Sequence, residues 1–146
     1  MQRQKYPSYR DEVLNLELAR IALLEDGWYD GQGTKYAGAD LDLAGDFLDA
    51  VLSFDSDLPA PSLIPTPDGC LRAEWLTQFK EAILLLDFRP PGVYGLATTN
   101  ETPARIAEEA FPFDPATGAL PAALFLRKSL TTVPRADTSA YKEEGA

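Results

Sequence analysis

The stretch Ser62–Trp75, SLIPTPDGCLRAEW, constrains the fold most, because it forces a chain reversal between two extended segments. Pro67 presets φ for a turn and Gly69 is free to adopt positive φ, so Thr66–Gly69 turns the chain back on itself. On the far side Leu71, Ala73 and Trp75 alternate with Arg72 and Glu74, the period of a strand with one buried face. Two further apolar runs, about 81–88 and 93–99, follow at meander spacing, separated by Arg89-Pro90-Pro91-Gly92. Ala73–Phe88 also fits a helical stripe through Trp75, Phe79, Ala82, Ile83 and Leu86; the preceding turn decides for two strands, about Cys70–Leu76 and Glu81–Phe88. Ile83–Leu86 reads as the middle of a covered sheet.

Two helices precede this region. Ser8 stands at an N-cap position with Asp11 three residues later, and Val13, Leu14, Leu18, Ile21, Ala22 and Leu24 recur at helical spacing, giving a helix over about Tyr9–Leu24 that Gly27 stops. The second, about Gly38–Phe54, has one apolar stripe of Leu41, Ala44, Phe47, Leu48, Val51 and Leu52, with Asp40, Asp42, Asp46 and Asp49 on the remaining arc. Between them DGWYDGQGTKYAG is too rich in glycine for a helix or a regular strand. It reads either as a partner-binding loop anchored by Trp28 and Tyr29 or as a connector folding Trp28 over the core. It has neither the lysine context of a phosphate loop nor the ligand spacing of a calcium loop.

After Gly92 the pattern weakens. Pro103–Ala110 reads as a short helix capped by Thr102, and Pro121–Ser129 as another with Pro121 in its first turn. Phe111, Phe113, Leu120, Leu124, Phe125 and Leu130 would close one side of the core or form a docking segment. Met1–Tyr6 reads as frayed and 131–146 as a disordered tail, leaving 1–130 as a single domain, a size suited to one core.

The chemistry-bearing residues are few. The chain has no histidine, which removes the usual general base, the Ser-His and Cys-His pairs and the commonest zinc ligand. Its one cysteine, Cys70, reads as a small core residue. No 18-residue apolar run or cleavable leader is present, so the expected setting is cytoplasmic, in a bacterium or phage, with no disulfide, metal, cofactor or membrane.

Charge is the strongest functional signal. The net charge is −10, and nine acids lie between Glu25 and Asp57 against Lys35 alone. Such a field repels nucleic acid and attracts a basic protein. Asp42 and Asp46 at i,i+4 and Asp46 and Asp49 at i,i+3 are like-charged neighbours that each cost the helix a few tenths of a kcal/mol.

GWYDGQG, an amphipathic helix, PSLIPTPDG and AEW, in that order over about 26–86, resemble the widespread small bacterial proteins of unknown function that carry a GWDGYGA-like segment followed by PTPDGG and LEW. Gln32 stands where those proteins usually have an aromatic, and Cys70 replaces a glycine. The resemblance implies a helix-helix-meander layout and no established activity.

The expectation is therefore an α+β domain: two N-terminal helices packed on an antiparallel meander of three to four strands, with a short helical C-terminal addition. Its expected role is non-enzymatic binding of a basic, nucleic-acid-handling partner, as by an antitoxin, immunity protein or phage-borne inhibitor, through Trp28, Tyr29, Asp40, Asp42, Asp46 and Asp49. A small-molecule module using the Trp28–Tyr36 loop and a structural subunit docking through Phe111–Leu130 are the alternatives.

Overall fold

The computed structural model describes residues 9–77, 80–99 and 106–130. The fold is α+β, with elements in the order α1 (Tyr9–Ala22), α2 (Gly38–Phe54), β1 (Ser62–Pro65), β2 (Leu71–Leu76), β3 (Lys80–Phe88), β4 (Pro91–Thr99), β5 (Ile106–Phe111) and α3 (Pro115–Leu130). The strands form one antiparallel sheet in the order β1-β2-β3-β4-β5, each paired with its sequence neighbour. The Ser62–Trp75 reversal is its first hairpin, with Leu63 opposite Ala73 and Pro65 opposite Leu71. Gly69 carries a φ of 92°, as the turn requires.

Alternation places one set of side chains under the helices. Leu71, Ala73, Trp75, Ala82, Leu84, Leu86, Phe88, Val93, Ala97 and Phe111 are buried there, against Phe47 and Val51 of α2 and Phe125 and Leu126 of α3. Gly95 belongs to the same row, and any Cβ on it would meet the Phe125 and Phe111 rings at 2.8 and 3.0 Å. Burial of this apolar surface is the main drive to fold.

α2 matches the sequence reading end to end, and its buried set is the expected stripe plus Gly45, which lets Leu18 of α1 approach. The helix ends without a cation of its own. Arg10 of α1 supplies one, its guanidinium donating to the carbonyls of Leu52 (2.8 Å), Asp55 (3.0 Å) and Leu58 (2.6 Å). α1 ends at Ala22, short of Gly27, in a tightened turn where Leu23 N donates to Arg20 O and Leu24 N to Ile21 O.

Four expectations are corrected. The sheet has five strands, because residues 106–111, read from the sequence as part of a helix, pair with β4 as an edge strand; tertiary pairing overrides the helix preference of Ala and Glu. The C-terminal helix runs over 16 residues instead of being a short addition, with Pro121 inside it. Its start is set by Asp114, whose carboxylate accepts from Ala116 N (3.2 Å) and Thr117 Oγ1 (3.1 Å), followed by Pro115 in the first helical position. The Ile83–Leu86 run is covered by helices on one side only: Leu84 and Leu86 are fully buried, whereas Ile83 and Leu85 are half-buried on the opposite face. Cys70 lies before β2, half-buried in the turn, and is no core residue.

Phe111, Phe113 and Phe125 join the core, while Leu120 and Leu124 stay exposed. Among the described residues no helix is long and apolar enough to cross a membrane. The Ser8 and Thr102 caps, the Met1–Tyr6 start, Phe79 and the 131–146 tail lie outside the described residues.

Candidate functional site

The glycine-rich segment folds into a miniature hairpin. Asp30 and Gly31, with φ of 53° and 88°, form its two-residue turn, and Tyr29 and Gln32 exchange backbone hydrogen bonds of 2.7 and 2.9 Å. Gly27 N donates to Gly33 O (2.8 Å), and the Asp26 carboxylate accepts from Lys35 N (2.8 Å). Trp28 lies across this hairpin, its indole N–H donating to Thr34 O (3.1 Å). A Cβ on Gly33 would meet the indole nitrogen at 2.7 Å, and a φ of 90° makes that position doubly dependent on glycine. Trp28 is therefore a structural half of the loop, packed on the core. Tyr29 meets it edge-on at 5.7 Å and stays 55 % exposed at the tip.

The four aspartates nominated on α2 do not act together. Asp40 lies at the helix start and pairs with Arg89 at 2.9 Å. Asp42 and Asp46 are exposed and Asp49 is half-exposed, and at helical spacing these three fall on one narrow stripe opposite the buried face. The other acids between Glu25 and Asp57 mostly have internal uses. Asp26 caps the loop, Glu25 faces Lys35 at 4.0 Å, and Arg127 of α3 reaches buried Asp55 (3.5 Å) and exposed Asp57 (3.6 Å). Asp42 and Asp46 make no ion pair among the described residues.

Asp40 instead lines a cleft of about 240 Å³, whose wall includes the end of the Trp28–Tyr36 loop expected of a small-molecule module. The loop contributes Lys35 and Tyr36, the PTPDG turn contributes Asp68, and the β3–β4 reversal contributes Asp87 and Arg89. The Tyr36 hydroxyl, buried beneath it, accepts from Thr66 N (2.9 Å) and donates to the Cys70 carbonyl, tying loop to turn. Burial pushes the Tyr36 phenol above its ordinary value. The Thr66 hydroxyl donates to Asp68 and holds that carboxyl below its usual range. Asp87 accepts from Arg89 N at 2.9 Å.

These carboxylates are spent on turn geometry, and their field acts against reactivity. Burial first, then the negative charges of Asp68 and Asp87, push the neighbouring Cys70 thiol up to about 11, the reverse of what activates a cysteine nucleophile. Among the described residues no group of three acidic or thiol side chains is placed to hold a metal ion.

The nominated set therefore divides. Trp28 is structural, Tyr29 is an exposed tip, Asp40 belongs to the cleft, and Asp42, Asp46 and Asp49 form a surface stripe. No family model, curated protein or solved structure matches this chain.

Proposed function

We propose that the protein is a non-enzymatic acidic interaction protein that engages the basic surface of a nucleic-acid-handling partner, in the manner of an antitoxin, immunity protein or phage-borne inhibitor. The stripe Asp42, Asp46 and Asp49 meets that surface, and the exposed Tyr29 ring is an aromatic contact at the same partner. One observation carries the reading: the acids needed to cap loops and bridge helices have partners inside the fold, whereas Asp42 and Asp46 have no ion pair among the described residues and repel each other along α2. A charge arrangement that costs the helix stability fits a role in long-range attraction of a cation-rich surface.

Site-specific photo-cross-linking in the native cell tests it. A cross-linker at position 46 is expected to capture a basic protein, and one at Leu16, exposed on α1, is expected not to. Capture of the same partner with equal yield from both positions would remove the stripe from the interface. The cleft favours a second reading, a small polar ligand held between Lys35, Asp68 and Arg89, which saturable quenching of Trp28 fluorescence would support.

A further inference from the structure

We infer that two copies of the chain associate through the face of the sheet that no helix covers. An antiparallel sheet with one solvated face ordinarily places polar side chains at its outward positions. Here the outward positions of the two central strands are Ile83 and Leu85 on β3, paired in register with Leu96 and Tyr94 on β4. Ile83, Leu85 and Leu96 are half-buried and Tyr94 is 41 % exposed, while Ile64 of β1, 39 % exposed, extends the same face. Nothing among the described residues lies over them.

The charges on this face are arranged for a neutral centre. Arg72, opposite both Ile64 and Leu85, pairs with Glu74 at 2.6 Å, and the Glu74 side chain is only 13 % exposed. The Tyr94 hydroxyl is held by Glu108 of the edge strand, which fixes the ring against the sheet. Glu81 and Asp87 sit at opposite ends of β3. An apolar centre inside a polar rim is the anatomy of a protein interface.

A second copy is the occupant these features fit. Each copy carries a net charge of −10, so self-association must use a surface whose own charges are already matched, and the Arg72–Glu74 pair makes the centre of this one so. The basic partner proposed above is served by the α2 stripe. The size is also sufficient. Five strands about 4.8 Å apart and about 20 Å long give roughly 480 Å² per copy in plan, rim included, so two copies bury about 960 Å², close to the lower bound of a specific interface. Two such sheets stack face to face about a two-fold axis with helices outermost.

Sedimentation velocity of the full chain, from low micromolar to several hundred micromolar, tests this. The weight-average mass is expected to rise reversibly from 16.0 kDa toward twice that value. Added salt should strengthen the dimer by screening repulsion between like-charged copies. Leu85→Glu, which places its carboxylate opposite Arg72, is expected to stay at the monomer mass with an unchanged circular dichroism spectrum. Leu16→Glu on α1 is expected to dimerise as the wild type does. If Leu85→Glu fails to fold, Tyr94→Lys at an already exposed position carries the same test. A wild-type chain that is monomeric throughout overturns the inference, the face then belonging to a foreign partner or ligand; so does a dimer that survives the sheet substitutions.

Discussion

Replacing Asp46 by lysine is expected to make the protein more stable, although a single substitution at random more often does the opposite. Asp46 lies mid-helix in α2, exposed, four residues after Asp42 and three before Asp49, and makes no ion pair among the described residues. Lysine is the better helix former, by about 0.4 kcal/mol. Each like-charge contact that is removed returns roughly 0.2–0.5 kcal/mol, and each opposite-charge contact that replaces it adds a similar amount. With lysine at position 46, the contact to Asp42 has the favourable order, acid before base, and the contact to Asp49 the weaker one. Solvent screening reduces these figures at an exposed site, leaving a gain of about 1 kcal/mol, or about 3 °C in melting temperature. Asp46→Asn, which removes the repulsion and adds no attraction, is expected to give about half of that. Urea unfolding followed by circular dichroism reads both variants. A loss of stability in Asp46→Lys would mean that Asp46 holds the fold together and is not surplus to folding.

Two further outcomes follow from the packing. Arg10→Ala removes the guanidinium that serves the Leu52, Asp55 and Leu58 carbonyls and leaves those carbonyls without that donor; a loss of about 2–3 kcal/mol is expected in the same unfolding assay, and a loss under about 0.5 kcal/mol would refute the capping role. Cys70 alkylation is expected to be slow at neutral pH and to accelerate toward about pH 11 in the folded protein, against 9.0 for an ordinary thiol. Because the folded value is the raised one, this group's contribution to stability is complete below pH 9.0 and is lost as pH climbs toward about 11. A thiol that titrates at its ordinary value would show that neither its burial nor the charges of Asp68 and Asp87 act on it.

What the sequence reveals follows how local each determinant is. α2 was legible because seven buried positions repeat at helical spacing on one side and aspartates fill the other. The PTPDG turn was legible because Pro67 and Gly69 impose its backbone. β5 was hidden, since residues 107–110 are exposed on both faces of an edge strand and carry no alternation to read. The Asp114-Pro115 helix start and the Asp30-Gly31 hairpin were written in known signals but lay beside prolines and glycines that suggested breaks. Tertiary determinants had no local trace. Arg10 finds the end of α2 from 42 residues away in sequence, and Arg89 draws Asp40 off the acidic stripe into the cleft. Trp28 and Asp40 therefore drop out of the expected surface, Trp28 because it packs on its own loop and Asp40 because composition records how many acids there are and only the fold records which of them are already paired.

The affinity of the partner captured at position 46, measured for the wild type and for Asp42→Lys combined with Asp46→Lys at low and at high salt, decides whether the α2 stripe is the interface. The double reversal is expected to weaken binding about tenfold or more at low salt, roughly 1.4 kcal/mol, and this difference is expected to shrink as salt rises. Equal affinities at low salt would contradict it.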